Sequence, residues 1–149
     1  MKYIFSILLG LLFAFAEAPS SGIFIIQKPA RKIPCEQELK MLIGNKKICL
    51  LKNPLFGIDE LEYVTDILYD FELKNNYVEI GLSSESANTL NQTISIMRDV
   101  QFALVVNHDI ICIFTIHEKM NTRYLRIGMD LDFKSLEFVH DVLKKHIQQ

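Results

Sequence analysis

The sequence is short of glycine, cysteine and net charge, and each shortage excludes a class of protein. Its 149 residues include six glycines, three cysteines, 16 basic and 18 acidic side chains, for a net charge of −2. The isolated glycines form neither a phosphate loop nor a dinucleotide-binding fingerprint. The cysteines lack zinc-ligand spacing, which excludes a cysteine-based zinc site. The near-neutral charge argues against a nucleic-acid-binding protein, which would have a surplus of basic residues. The length suits one domain and excludes a multidomain enzyme.

Long apolar runs are also absent, except at the N-terminus. There, 13 of the first 16 residues are apolar, and the basic Lys2 precedes the apolar run, a pattern typical of a secretory signal peptide. The run is shorter than the roughly 20 residues that a membrane-spanning helix needs. We predict a signal peptide over 1–16, cut after Ala16. Cleavage after Ala18 (1–18) is the alternative, which Pro19 would hinder.

An export signal predicts where the protein is found. We expect it to be exported, and membrane-tethered if the leader is not cleaved. Beyond the leader, the chain predicts a tether with N-terminal elements over 17–45 and an α+β domain over 46–149. The predicted fold is a mostly antiparallel sheet with two main helices packed on one face.

The predicted helices and strands follow from the periodicity of the apolar residues and from the turn-forming residues that bound each segment. Strands are expected at 23–26, 47–51, 77–82 and 124–127, with a helix at 36–43 closed by Gly44 and Asn45. Residues 59–68 fit either a helix or a strand. Ser83 is expected to begin one helix and Asp132 the last, since both side chains can cap free main-chain amides. The segments 102–106 and 110–116, separated by a polar turn, predict a hairpin.

The three cysteines give an odd number for an exported protein. Cys49 and Cys112 lie within apolar strands, so we predict buried free thiols that behave as small hydrophobic side chains. Cys35 lies in a polar, proline-containing stretch. A Cys35–Cys49 disulfide is the alternative, if the chain doubles back.

Catalytic and metal-binding patterns are missing from the sequence. The four histidines, His108, His117, His140 and His146, do not form H-E-x-x-H, and no nucleophile elbow is present. We therefore assign no catalytic, cofactor-binding or metal-binding residue, and we expect no cofactor. If the protein were an enzyme, His117, Glu118 and Asp130 would be the first residues to test.

Four segments resemble, in order, the head subdomain of the first large periplasmic domain of the SecD family. Residues 53–61 read NPLFGIDEL, 78–87 read VEIGLSSESA, 102–111 read FALVVNHDII, and Ile127-Gly128 leads into an apolar helix at 133–143. These segments resemble the family's P-L-hydrophobic-T-G-x-D-L lead-in, its strand before S/T-x-E-x-A, its L-A-I-V-L-D-G-x-V-I hairpin and the I-x-G-F that leads into its closing helix. The resemblance covers 53–145, about two-thirds of the chain.

The sequence also departs from the family pattern. The family's Asp-Gly hairpin turn is replaced by Asn107-His108-Asp109, and its glycine-rich stretch before the last strand by a charged segment, 118–125. SecD, an accessory subunit of the Sec translocon, couples proton flow to export through transmembrane helices, which this sequence lacks. The head subdomain of the family offers no catalytic residues to transfer.

The resemblance implies an exported, periplasmic, non-enzymatic protein-binding module, accessory to protein secretion. Its expected partners are a translocating chain or a component of the Sec translocon, with peripheral association at the membrane surface and no nucleic acid. Such a module would hold an extended segment at a sheet edge or in an apolar groove. The alternatives are a small secreted hydrolase or transferase, and a secreted effector or inhibitor that reuses the fold.

Overall fold

The computed structural model describes residues 21–28, 32–117 and 119–147, and the predicted signal peptide lies outside these ranges. The described residues form ten strands and two α-helices. The strands are β1 (Gly22–Ile25), β2 (Gln37–Met41), β3 (Lys47–Leu50), β4 (Phe56–Gly57), β5 (Leu61–Val64), β6 (Leu68–Asp70), β7 (Asn75–Leu82), β8 (Gln101–Val106), β9 (Asp109–Thr115) and β10 (Tyr124–Ile127). The helices are α1 (Ser84–Ile96) and α2 (Phe133–Ile147).

Six strands form the larger sheet, in the order β3-β2-β9-β8-β1-β4. Its neighbouring strands are antiparallel except β2 and β9, which are parallel. Just beyond β1, Ile26 bridges to Leu50 at the end of β3, and Leu51 N donates to Ile25 O at 3.0 Å. These contacts join the first strand of the order to the fifth, so β1, β2, β3, β8 and β9 close into a small barrel.

The barrel has an apolar interior to which all five strands contribute. Its most buried side chains, at most 1% exposed, come from β1, β3, β8 and β9, and partly buried side chains of β2 pack against them. The buried set is Phe24, Leu50, Ala103, Val105 and Ile110, and the β2 side chains are Leu39 and Met41. Closure hides the main-chain edges of these strands over the paired part of their length.

The smaller sheet has the order β10-β7-β5, and β6 also pairs with β7. Both helices pack on β7, and α2 also packs on β5. The main hydrophobic core lies between this sheet, the helices and the outside of the barrel. Its fully buried members include Val78, Ile80 and Leu82 of β7, Leu90 of α1, and Leu136, Val139 and Leu143 of α2. The predicted α+β class, with mostly antiparallel strands and two main helices, is confirmed.

Local signals account for the helix starts and the hairpin. Ser83 Oγ accepts a hydrogen bond from Ser86 N at 3.0 Å, and Asp132 Oδ1 accepts one from Ser135 N at 3.0 Å, so both predicted caps are confirmed. The strands β8 and β9 form the predicted hairpin. Its two turn residues, Asn107 and His108, have φ of 50° and 69°, the left-handed pair that a two-residue hairpin turn needs.

The predicted helix at 36–43 is wrong, because this segment forms β2 and pairs with β3. Its side chains alternate between partly buried and exposed, and Leu39 and Met41 pack against the barrel interior. Gly44 (φ 84°) and Asn45 (φ 57°) form the turn of a hairpin rather than the end of a helix. The same two residues serve either structure, since both need a left-handed backbone.

The ambiguous segment 59–68 resolves mainly into extended structure. A single 3-10 turn, Ile58–Glu60, precedes β5, and β6 begins at Leu68. Upstream, the described part of the predicted 17–45 region contributes β1 and β2 to the barrel. The boundary at residue 46 stays a prediction.

The prediction that Cys49 is a free thiol is wrong. Cys35 and Cys49 form a disulfide, with their Cα atoms 5.6 Å apart. The chain doubles back because β2 and β3 form a hairpin, in which Glu38 lies opposite Cys49. The prediction for Cys112 is confirmed: this thiol is free and 2% exposed.

Candidate functional site

The outer edge of β10 lacks a partner strand in the described part of the chain. Leu82 N of β7 donates to Arg123 O at 2.7 Å. Hydrogen-bonded and non-hydrogen-bonded positions alternate along an antiparallel pair. The main-chain groups of Leu125 therefore point toward β7, and those of Tyr124 and Arg126 point away from it.

A second contact supports this assignment. Arg126 lies opposite Glu79 of β7. The main chain of Glu79 bonds on the side of β7 away from β10. Glu79 O accepts from Thr65 N at 2.9 Å, and Glu79 N donates to Thr65 Oγ1 at 3.0 Å. On the outer side of β10, Tyr124 O accepts only a long 3.4 Å contact from the Thr122 hydroxyl. The β10 edge thus offers main-chain donors and acceptors to an added strand.

The C-terminal half of β9 has a similar unpaired edge. The strand β2 pairs only with the first two residues of β9. Farther along, Gln101 O accepts from Ile26 N at 2.9 Å, so the main chain of Gln101 faces β1. Thr115 lies opposite Gln101. Because hydrogen-bonded positions alternate along the pair, the main-chain groups of Thr115 and Ile113 point away from β8.

A cleft of about 90 Å³ lies between these two edges. We call it the β9–β10 cleft, and its lining residues are 113–115 of β9 and 126–131 of β10 and the following turn. Gly128, with φ of 83°, turns the chain from β10 toward α2, and a Cβ there would collide with Leu136. Leu131 N donates to Gly128 O at 3.0 Å and closes this turn. A tight, packed turn therefore holds one end of the cleft.

Arg126 carries a fixed positive charge beside the cleft. Its Nε donates to Glu79 Oε1 at 3.1 Å, its Nη1 lies 3.6 Å from Asp70 Oδ2, and its guanidinium lies 4.7 Å from the centre of the Tyr77 ring. Partial burial is the largest single influence and lowers the pKa of Arg126, but the bond to Glu79 and the charges of Tyr77, Glu79 and Tyr124 together outweigh it, so the pKa is raised. Tyr124 completes an aromatic surface around this guanidinium, at 5.9 Å. Arginine and tyrosine are typical of protein-binding surfaces.

The one cysteine thiol beside the cleft is not a nucleophile. Burial raises the pKa of Cys112 to about 12, outweighing a bond from the Gly128 main chain, and the charge of Asp130 adds to the rise. A nucleophilic cysteine needs a lowered pKa and an exposed, electropositive setting. Cys112 has neither.

Of the three residues considered for an enzyme, the structure describes His117 and Asp130. His117 is exposed just after β9, Asp130 lies in the lining of the cleft, and Glu118 is outside the described residues. Among described residues, neither His117 nor Asp130 makes a side-chain hydrogen bond or an ion pair. No catalytic pair is formed by these two side chains.

The other histidines are scattered over the described residues. His108 and His117 lie at opposite ends of the β8–β9 hairpin, and His146 Nδ1 lies 2.8 Å from Val142 O within α2. His140 lies within α2, with Nδ1 3.2 Å from Asp141 Oδ1. Within 21–28, 32–117 and 119–147, no group of three or more histidine, cysteine or acidic side chains could hold a metal ion.

Comparison with known proteins identifies the fold. No family model and no curated protein matches the sequence. The structure matches a crystal structure of SecDF in its super-membrane-facing form, with a TM-score of 0.56 and 11% identity over 85% of this chain. It also matches SecDF described as a membrane component that enhances protein export, with a TM-score of 0.55 and 10% identity over 86% of this chain. The fold is that of a SecD periplasmic domain.

The matches extend over part of the SecDF chains only. They cover 19% of the first SecDF chain and 63% of the second. At identities of 10–11%, the TM-scores of 0.56 and 0.55 establish a shared fold and nothing more, which confirms the resemblance expected from the four sequence segments. In the described residues, neither helix is long and apolar enough to cross a membrane.

Sequence reasoning missed the two unpaired edges. Alternation did indicate β10, where Leu125 and Ile127 are buried while Tyr124 and Arg126 are not. The identity of the neighbouring strands, however, depends on long-range pairing. The edges became visible only with the strand order.

Proposed function

We propose that the protein is an extracytoplasmic, non-catalytic module that binds an extended polypeptide segment along the β10 edge. The partner would be a translocating chain or a component of the Sec translocon, and the role accessory to protein secretion. The observation that supports this proposal is the outward direction of the main-chain groups of Tyr124 and Arg126. Strand addition to an exposed edge uses such groups for affinity and the alternate side chains for specificity.

The edge favours weak, reversible binding. The two outward residues offer four main-chain groups, and a net gain of about 0.5–1.5 kcal/mol for each bond gives roughly 2–6 kcal/mol. Association itself costs at least about 4 kcal/mol. Contacts with the side chains of Tyr124 and Arg126 would therefore supply much of the affinity. A weak contact suits a segment that is passing through rather than one that stays bound.

The disulfide supports the proposed location. Disulfides persist in oxidising compartments such as the bacterial periplasm and are rare in the cytosol. Cys35 and Cys49 are paired, and the sequence predicts a signal peptide ahead of them. Both features agree with an exported protein, and the fold agrees with a periplasmic domain.

Site-specific photo-crosslinking in the cell tests the proposal. A benzophenone amino acid would replace Tyr124, and a control protein would carry it in place of Lys46, an exposed residue of the β2–β3 turn. We expect adducts with translocating precursors or translocon subunits from position 124 and none from position 46. Equal adducts from both positions, or none from position 124, would reject binding at this edge.

A further inference from the structure

A second concave surface lies away from the β10 edge, between the end of β1 and the turn that joins α1 to β8. It encloses about 300 Å³. We call it the apolar groove. Its walls are formed mainly by five apolar side chains: Ile25, Ile26, Leu51, Met97 and Val100. Met97 is 41% exposed at the opening, whereas Val100 is 3% exposed.

Four main-chain N–H groups around this groove, and the carbonyl of Ile25, are already hydrogen-bonded. Leu51 N donates to Ile25 O at 3.0 Å, and Ile26 N donates to the carbonyl of residue 101 at 2.9 Å. Gln27 N donates to the carbonyl of residue 49 at 2.9 Å, and Met97 N to that of residue 93 at 2.8 Å. A peptide in the groove would bring main-chain groups that find few partners there, which is costly. The groove therefore favours a ligand whose body is pure hydrocarbon.

The polar side chains of the groove differ in what they can still bind. The Gln27 amide is occupied, because its Nε2 donates to Pro34 O at 2.9 Å and its Oε1 accepts from Glu36 N at 3.0 Å. Lys28 and Arg98 are exposed, and neither forms an ion pair with another described residue. No acidic side chain among the described residues lines the groove. Two unpaired cations beside a hydrocarbon surface complement a ligand with an anionic head and an apolar body.

We propose that the apolar groove binds one free fatty acid, with its chain against the apolar walls and its carboxylate beside Lys28 and Arg98. Ligand sites commonly measure about 300–1,000 Å³, so this groove is at the small end of that range. That size suits a single medium-length chain rather than a two-chain phospholipid. The site is separate from the β10 edge, and the proposal does not depend on polypeptide binding there.

Calorimetric titration of the whole protein with two soluble amphiphiles of equal chain length tests the proposal. Decanoate carries the anionic head, and decyltrimethylammonium is the matched cation. We expect one decanoate per protein, bound about tenfold or more tighter than the cation, since two charge contacts each contribute a few-fold. Equal affinities, or no saturable binding of decanoate, would overturn the proposal.

Variants at the two cations and at the apolar wall locate the site. Lys28→Glu with Arg98→Glu should weaken decanoate binding about tenfold or more, and Lys46→Glu, an exposed lysine outside the groove, should leave it unchanged. Met97→Asn should weaken decanoate and the cation alike, because it shortens the apolar wall. Unfolding midpoints would verify that each variant is folded. Equal effects of the Lys46 variant and the double variant would overturn the assignment.

Two further probes distinguish other occupants. Vesicles of anionic phospholipid test attraction to a bilayer, and a decapeptide of leucine and serine tests an apolar polypeptide. We expect neither to displace decanoate. Displacement by the peptide, or vesicle binding without decanoate binding, would refute a free fatty acid as the ligand.

Discussion

Removing the Cys35–Cys49 disulfide should destabilise the barrel by a predictable amount. The bond joins residues 14 apart in the sequence. Closing a loop of about 15 residues in the unfolded chain is worth about 3 kcal/mol. A domain of this size has a total stability of about 5–15 kcal/mol, so the loss is a large share of it. We expect Cys35→Ser with Cys49→Ser to lower the free energy of unfolding by about 3 kcal/mol.

Urea denaturation followed by circular dichroism measures this change. The double variant should unfold at a lower urea midpoint, and adding a reductant to the wild-type protein should lower its midpoint by a similar amount. Cys112→Ala is the matched control, because this thiol is free and its loss leaves the disulfide in place. A double variant within about 0.5 kcal/mol of wild type would refute the reasoning, since that is the range of neutral surface changes. The reasoning would also be refuted if the reductant no longer lowered the urea midpoint in the Cys112→Ala variant.

Three other predictions concern β10, the turn after it and α2. Tyr124→Pro removes an outward N–H that Tyr124→Ala keeps, so photo-crosslinking from position 122, an exposed residue just before β10, to a translocating chain should fall several-fold in the proline variant relative to alanine; equal yields would argue against strand addition. Gly128→Ala should cost about 1–3 kcal/mol in urea denaturation, because φ is 83° and the new Cβ meets Leu136; an unchanged midpoint would contradict that clash. Hydrogen bonds from the side chain and main chain of Ser135 lower the pKa of Asp132, so its stabilising effect should be complete above about pH 4 and be lost as the pH falls through the lower folded-state pKa. Asp132→Asn should remove that part of the acid-dependent loss of stability, and an identical pH profile would show that the cap has no such effect.

Much of the fold follows from local sequence. Ser83 and Asp132 cap the helices that they were predicted to begin, and the Asn107-His108 turn joins the predicted hairpin. These features depend on residues close together in the chain, so a sequence pattern is enough to find them. The strand Tyr124–Ile127, ending before Gly128, was also predicted from its alternation.

The errors arise where distant pairing decides the structure. The segment around Leu39 has apolar positions that a short helix could also use, and only its partners in β3 and β9 make it a strand. The same pairing brings Cys49 next to Cys35. The apolar neighbours of Cys49 indicated a buried free thiol instead. The closed barrel and the two unpaired edges could not be predicted, because each depends on the order of strands far apart in sequence.

The sequence predicted the type of candidate site but not its location. An exposed edge or an apolar groove was expected from the fold resemblance, and the described residues contain both. Neither His117 nor Asp130 forms a catalytic pair, so the enzyme alternative gains no support from their arrangement. The location of the edge came from hydrogen-bond alternation at Arg123 and Glu79, which no single-sequence pattern records.

The position of β1 also has a mechanical consequence. This strand pairs with β8 along one side and with β4 along the other. Antiparallel hydrogen bonds run perpendicular to the strands, so a pull on Gly22 along the axis of β1 would load both rows in shear. Such rows share the force and fail together. If a leader held the chain at a membrane, a force on the bound segment would reach that anchor through these two rows of hydrogen bonds.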